Sequence, residues 1–593
     1  MGLIYINNWN PWIIPLLTFL TGSFSVFGLI NIGQFIKTQL KININTIWEN
    51  LINLILGIFI FSFLIQIISF LKINNKFTFG ILAILLILLG CKQLTFKKLK
   101  IPKIDKKSII PSSLLISIFL IRLLISVIPS TKIDELHYHM LLPLRLITEK
   151  GLDFYSLPWE GAIWPHMHYQ FIGAPFYAIG LPDSLNIISL GIFITFLRTL
   201  FFQINKLINS KELTLWCLVL FTSGLHSLID LTTNSSNSLL LVSSCSSLFI
   251  LCDPNKYLPT NNLKSFSLIF GLLSLGIIGS KISMFPIFIV QTLIFFKTVN
   301  TVWGSKSISK SFLYFSLPFI IFYLPIVFYT LIKSGSPFGP LLSSLFVYKA
   351  DFDPLVSSTI GDLGYQGNIQ EFIFFCITKW TPLVWLSWMV SFNKKINYKI
   401  KTTFITIIMI QSLMIWLILP DSPRHFAGFQ YVGLLILFIE LIPQFFKKFK
   451  KLFISTFLFF SVPWLFLDIY YSAPLLTKAF FRQERFKEDY IPFYKDFILL
   501  DNLLEKNSEI LVYGTRINSF HSPRKVLFSA KEIMKNENPK YLFLVGEKKE
   551  ESLTLGKLIY INDKANTYCF RTPKKTCTKN QLRVYKIDSS TKN

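Results

Sequence analysis

Charge is scarce in this chain, and negative charge is scarcest. Only 15% of its 593 residues are Asp, Glu, Lys or Arg, against roughly 25% in soluble domains. Acidic residues number 32 against 59 basic ones. That deficit excludes an ordinary soluble fold of this length. Apolar residues fill the gap: 52% of the chain is hydrophobic, including 60 Phe. Cysteine is sparse as well, with seven residues. Cys91, Cys217, Cys245, Cys252 and Cys376 lie in or beside apolar runs, where a thiol behaves as a small hydrophobe. Cys569 and Cys577 flank "FRTPKKT" in a polar tail. They close a disulfide if the tail lies outside the cytoplasm, and two free thiols are the alternative.

The apolar residues are gathered into runs near the ~20 residues that cross a bilayer. "PWIIPLLTFLTGSFSVFGLINIG", "IIPSSLLISIFLIRLLISVIP" and "SFLYFSLPFIIFYLPIVFYTLI" are examples. The expectation is an all-α polytopic membrane protein with about fourteen transmembrane helices. The spans are read at 11–33, 46–71, 78–94, 109–129, 184–205, 213–228, 237–252, 264–280, 282–298, 311–332, 371–392, 402–420, 426–446 and 452–472. The first run has little positive charge before it and no small-residue cleavage site, so it reads as a retained span rather than a signal peptide. The stretch 169–181, "YQFIGAPFYAIGL", is short and broken by Gly and Pro. It reads as an interfacial or re-entrant piece.

The net charge of +27 reads as the positive-inside bias of a membrane protein, not as a nucleic-acid surface. The links 34–45, 92–108, 206–212, 253–263, 298–310, 393–401 and 447–451 hold most of the Lys and Arg and are therefore assigned to the cytoplasm. The alternate links fall outside: 130–168, 229–236, 333–370 and 421–425. The tail from about 473 falls outside too. All seven His, at 137, 139, 166, 168, 226, 425 and 521, then lie at or beyond the outer face. The tail differs in kind from the body. "FYKDFILLDNLLEKN" has helical periodicity, while "EILVYG" and "KYLFLVGE" read as short buried strands. A small extracytoplasmic α/β C-terminal domain is expected over 473–593. The remainder divides into N-terminal transmembrane helices at 1–108 and a transmembrane core at 109–472 with an outer loop at 130–168.

Titratable groups crowd together in "STKIDELHYHMLLP", which sets Asp134, Glu135, His137 and His139 within six positions. Carboxylates beside hydrocarbon are costly unless paired, solvated or used. On a helix, Asp134 and His137 share a face at i,i+3, as do Glu135 and His139 at i,i+4. Such a cluster takes a proton from a hydroxyl or amine, with a carboxylate as base. It also suits a divalent cation such as zinc or manganese, with His137, His139, His166 and His168 as candidate ligands. An interfacial helix with its polar residues in water is the plain alternative. No cofactor is required by the sequence.

The order of motifs resembles the GT-C membrane glycosyltransferases, in particular the bacterial relatives of protein O-mannosyltransferases and of the lipid A aminoarabinose transferase. The resemblance rests on "DELHYH" after an apolar span, followed by "LLPLRLITEKGLDFY" and "WPHMHYQFIGAPFYAIG". It is joined by "HSLIDLTTNSSNSLLL", by "SGSPFGPLLSSLF" with Ser336 where the family has Asn, and by "LPDSPRHFAGFQYVGLLI". It covers most of 109–470; the helices before 109 and the double His-x-His have no match in it. The resemblance implies transfer of a sugar from a polyprenyl-phosphate carrier to a glycan, lipid or protein acceptor at the outer face of a bacterial inner membrane. Asp134 would be the catalytic base or orienting acid and Glu135 the second acid. Arg424, beside His425, would grip the carrier phosphate, with Lys281 and Arg145 as further cations, Asp230 positioning the loops or the acceptor, and His137 a further substrate-binding candidate.

Three rivals stand beside this reading. A lipid-linked glycan flippase would show an internal repeat and polar residues near the midplane of its spans. An O-antigen-ligase-like transferase would carry its main outer loop late in the chain. A non-catalytic envelope-glycan assembly component would keep the outline without the chemistry.

Overall fold

The computed structural model describes residues 2–92, 105–132, 135–149, 151–152, 168–223, 233–252, 260–280, 284–335, 448–513, 517–527, 539–546, 556–569 and 577–587, with Tyr257, Pro337 and Phe446. Expected spans at 371–392 and 402–420 lie outside those residues, as do the late loop that carries Arg424 and all of the span 426–446 except Phe446.

Six described helices are long and apolar enough to cross a membrane: Ile13–Gln39, Thr46–Phe70, Lys106–Ser126, Ser184–Ile208, Ser305–Ile332 and Lys450–Phe481. Four shorter apolar helices join them, at Lys76–Cys91, Asn237–Leu251, Leu263–Ile278 and Ile287–Trp303. Their outer surfaces carry bare Phe and Leu, such as Phe77, Leu88, Phe312 and Phe466. Patches of that size are not left to water; lipid is their natural cover. The helix starts are set by polar caps in the links. The side chains of Asn45, Asn75, Ser210 and Asn262 each accept a hydrogen bond from a first-turn amide, satisfying donors the helix itself cannot. Pro318 falls inside a helix where it can donate no hydrogen bond, and the chain widens into a π-turn over Phe319–Tyr323.

Within hydrocarbon, helices associate by close packing rather than by the hydrophobic effect, so small residues mark the contacts. The helices at 13–39 and 46–70 cross with backbones nearly touching. A Cβ placed on Gly33 would lie 1.8 Å from the Asn53 carbonyl oxygen, and one on Gly57 would lie 1.9 Å from that of Leu29. A buried ion pair ties three other helices together. Arg122 and Asp468 approach to 3.8 Å with both side chains buried, and Arg122 also donates to the Thr222 carbonyl.

The links sort onto two faces. On one face, Lys264 donates to the Leu40 carbonyl at 3.1 Å, the Asn43 amide donates to Ser265, and Lys450 pairs with Glu212 at 2.6 Å. These are the Lys-rich links. On the other face, Asn74 bonds the backbone of Leu146, Glu149 and Gly151. The stretch 169–181 is buried there as two short helices, His168–Phe171 and Ala174–Ala178.

The tail forms a five-stranded sheet in the order β2-β1-β3-β5-β4. Its strands are β1 Glu509–Tyr513, β2 Lys525–Leu527, β3 Tyr541–Val545, β4 Lys557–Cys569 and β5 Cys577–Lys586. Strand β1 pairs in parallel with β2 and β3, whereas β5 is antiparallel to β3 and β4. The helix expected near 493–507 is Tyr494–Leu503, and both expected strands are present. Cys577 is disulfide-bonded, and Cys569 stands opposite it in the ladder. The chain's first helix, Gly2–Asn7, sends Leu3 and Ile6 into the tail's apolar core beside Phe493 and Phe497.

Replacing Gly57 with Ala must push the first two spans apart. It is expected to cost about 1–3 kcal/mol, read as a lower melting temperature in detergent. Gly80→Ala, whose Cβ would meet only Ile179 at 3.9 Å, should leave that temperature unchanged. Equal effects from the two would contradict the packing described.

Candidate functional site

The face opposite the Lys-rich links carries a cluster of buried acids. The helix Ile109–Ser126 ends there, and after a short link the chain winds into a π-turn at Glu135–His139. The Met140 amide closes that turn on the Glu135 carbonyl at 2.8 Å. The wider turn changes which side chains share a face, so Glu135 and His139 have separate surroundings.

Glu135 turns inward and is only 2% exposed. Its Oε2 accepts from the Ser130 hydroxyl at 2.7 Å and from the Asn234 amide at 3.4 Å. Its Oε1 is buried with no hydrogen-bond partner among the described residues. Ser130 also reaches a second carboxylate, Asp183. The Ser130 hydroxyl lies 3.1 Å from Asp183 Oδ1 and its amide donates to the same oxygen at 3.2 Å. Asn186 donates to that oxygen as well, at 3.3 Å, while Tyr5 donates its hydroxyl to Oδ2 at 2.6 Å. Asn234 Nδ2 donates to Ser130 Oγ at 3.1 Å. One hydroxyl therefore bridges two buried carboxyl groups.

Asp183 stands at the N-cap of the helix Ser184–Ile208, yet its side chain makes no capping bond. The helix N-terminus favours its negative charge, but burial dominates and pushes its carboxyl up to about 7. Hydrogen bonds from Tyr5 and Ser130 oppose that rise, and the neighbouring Glu135 adds to it. Burial and Asp183 together drive the Tyr5 hydroxyl well above its ordinary range.

The tail sits directly on this cluster. The Phe520 amide donates to the Leu136 carbonyl at 2.9 Å. The Phe520 ring packs edge-on against Tyr5 and Tyr177. His137 Nδ1 meets the Ile517 backbone, 3.0 Å from its carbonyl and 3.3 Å from its amide. Arg145, buried, pairs with Glu149 and donates to the Val526 carbonyl of β2. His521, 1% exposed and bonded to Asn518, is pushed down to about 3 by burial, so it stays neutral at ordinary pH. The loop 130–149 and the tail thus share one face.

The residues singled out in the sequence divide three ways. Glu135 is in the acidic cluster. His137 and Arg145 serve the contact with the tail. His139 and His168 take separate partners, Gln170 at 2.9 Å and Gln66 at 3.2 Å. No group of three or more His, Cys, Asp or Glu that could hold a metal occurs among the described residues, so the histidines do not converge there. Asp134, His166, Asp230, Lys281, Arg424 and His425 lie outside the described residues. Sequence reasoning missed Asp183, Ser130, Asn234 and Tyr5. The Pro-Asp-Ser at 182–184 marks a helix start, but nothing in it signals that the Asp side chain caps no amide of its helix and instead reaches Tyr5 and Ser130. No family model matches the chain, and no curated protein or solved structure matches it either.

Folding raises the proton affinity of Asp183 from 3.8 to about 7. The folded state then holds the extra proton, so stability is greatest below the lower value and declines as pH rises through the upper one. Raising the pH from about 5 to about 8 should lower the melting temperature of the wild type relative to Asp183→Asn. A gap between the two that stays constant with pH would contradict the assignment.

Proposed function

We propose that this protein is a membrane glycosyltransferase of GT-C type. It moves a sugar from a polyprenyl-phosphate carrier to an acceptor at the non-cytoplasmic face of a bacterial cytoplasmic membrane. The observation that carries the reading is the meeting of two loops at one buried acid. The loop of "DELHYH" and the loop of "LTTNSSNS" are almost 100 residues apart in sequence, and Asn234 of the second bonds both Glu135 and Ser130 of the first. Both loops belong to the resemblance, which assigns them to one site. The leaving group is a lipid phosphate, so negative charge develops there and must be met by cations. Arg424, flanked by His425, and Lys281 take that role. Asp134 acts as base with Glu135 second, and Asp230 orients the acceptor. Arg145 is already committed to Glu149 and Val526.

Two observations support the orientation. The Lys-rich links share the face away from the acids, as positive-inside bias requires of a cytoplasmic surface. A disulfide in the tail fits an oxidising compartment. Transport of a lipid-linked glycan is a second reading, favoured by uncharged polar pairs inside the bundle such as Ser247 with Gln291 at 2.7 Å. The charged groups weigh against it. Arg122 lies four residues before the end of its helix, about 6 Å from that end, rather than at the midplane.

The test is a transfer assay in nanodiscs with a labelled polyprenyl-phosphate sugar. Asp134→Asn should lower transfer by about 10²–10⁴-fold in a protein that still inserts. Arg424→Ala should weaken binding of undecaprenyl phosphate by about tenfold or more. Full transfer by the first variant, or unchanged carrier affinity in the second, would remove the proposed roles.

A further inference from the structure

Two carboxyl groups meet one hydroxyl in the acidic cluster, and the hydroxyl has one proton to give. Ser130 Oγ accepts from Asn234 Nδ2 at 3.1 Å. It stands 2.7 Å from Glu135 Oε2 and 3.1 Å from Asp183 Oδ1, and can donate to only one of them at a time. The two acids are not equally served. Asp183 accepts from Tyr5, from the Ser130 amide and from Asn186 whichever way the hydroxyl turns. Among the described residues, Glu135 without that hydroxyl keeps only the Asn234 amide at 3.4 Å, and its Oε1 has no partner there. The groups facing Asp183 from the elements packed on it are Tyr5 of the first helix, Tyr177 of the helix Ala174–Ala178 and Glu135 of the π-turn. None of them is basic. No ion pair with either acid occurs among the described residues, so a shared proton is the available way to relieve their repulsion.

We propose that Asp183 is a positioning residue for Glu135, and that the rotating Ser130 hydroxyl couples the two so that Glu135 Oε1 is kept open to receive a proton. This rests on the sugar-transfer reading for its chemical purpose. In that reaction the O–H or N–H bond of the acceptor breaks, Asp134 takes the proton as base, and Glu135, the second acid, receives it on Oε1. The electron pair left on the acceptor atom forms the new bond to the sugar's anomeric carbon. The bond from that carbon to the phosphate oxygen breaks, and the polyprenyl phosphate leaves with the pair. Ser130 breaks no bond; its hydroxyl turns from Glu135 to Asp183 as Glu135 becomes neutral. Burial has raised Asp183 toward neutrality, so its own proton is exchangeable in the working range rather than far below it.

The test needs neither carrier nor acceptor. Infrared spectra of the full-length protein in detergent are recorded from about pH 5 to about 9, with ¹³C-labelled aspartate separating Asp from Glu carboxyls. A protonated Asp band titrating in that range is expected, absent in Asp183→Asn. In Ser130→Ala the Asp band should shift its midpoint upward by ~1 pH unit, because the Ser130 hydroxyl bond that favours the charged Asp183 is gone. Ser130→Ala also serves if Asp183→Asn fails to insert. An Asp band that is missing from the wild type, or an Asp titration identical in wild type and Ser130→Ala, overturns the proposal. In the transfer assay, Asp183→Asn should displace the acid limb of the pH–rate profile, and an unmoved limb counts against the coupling. If the bands behave as expected while no sugar is transferred, the coupled pair stands and the transferase reading falls.

Discussion

Five residues of the tail, Ile517 to His521, set the conditions for everything on the acidic face. A loop that leaves a membrane helix carries backbone groups that the helix no longer pairs, and leaving them buried without partners costs a few kcal/mol each. Here the tail supplies some of those partners. The Phe520 amide takes the Leu136 carbonyl, and the Ile517 backbone meets His137. The Phe520 ring then closes over Tyr5 and Tyr177. Tyr5 in turn holds Asp183, so the soluble domain reaches the buried acids through one tyrosine. The chain's first helix adds a second tie, because Leu3 and Ile6 belong to the tail's core while Tyr5 on the same helix faces the acids.

The bilayer explains why the polar chemistry gathers where it does. Helix interiors must satisfy their own backbone and leave little room for charge. Charged groups therefore collect at helix ends or pair when they go deeper. Arg122 and Asp468 are the clearest case: both are buried, they face each other, and Arg122 takes the Thr222 carbonyl as well. Removing one partner would strand the other in a low-dielectric interior, which is costlier than the pair itself. The same economy leaves Lys-rich links on one face, where Glu212 is paired with Lys450, and the buried Glu135 and Asp183 on the other. The proposed transfer needs that separation, because a charged lipid phosphate can enter only at a polar edge of the membrane.

Much of the fold was legible in the sequence because lengths and periodicities are local. Apolar runs located the long described helices, although Ile13–Gln39 and Lys450–Phe481 run past the expected ends at 33 and 472, and "EILVYG" and "KYLFLVGE" located two of the five strands. The β4–β5 hairpin was missed because "KLIYINDKANTYC" and "CTKNQLRVYK" mix polar and apolar residues without clean alternation. At the site, Glu135 was legible because a carboxylate beside hydrocarbon is conspicuous. Asp183 was not, because an Asp after Pro at a helix start has an ordinary explanation, and only tertiary structure shows its side chain turned to Tyr5 and Ser130. His137 and Arg145 looked like chemistry for the same reason as Glu135, yet the tail holds them both. That contact could not be read from the chain, since about 380 residues separate its two sides.

The central claim is that the tail closes over the acids in the resting protein. Hydrogen exchange of the intact chain in a membrane mimetic, resolved at the amide of Phe520, tests it most directly. The account predicts slow exchange there, because that amide is bonded to the Leu136 carbonyl and buried beneath the docked domain. Exchange at the rate of an open loop, with the strands of the tail still protected, would mean that the domain folds but does not dock, and would contradict it.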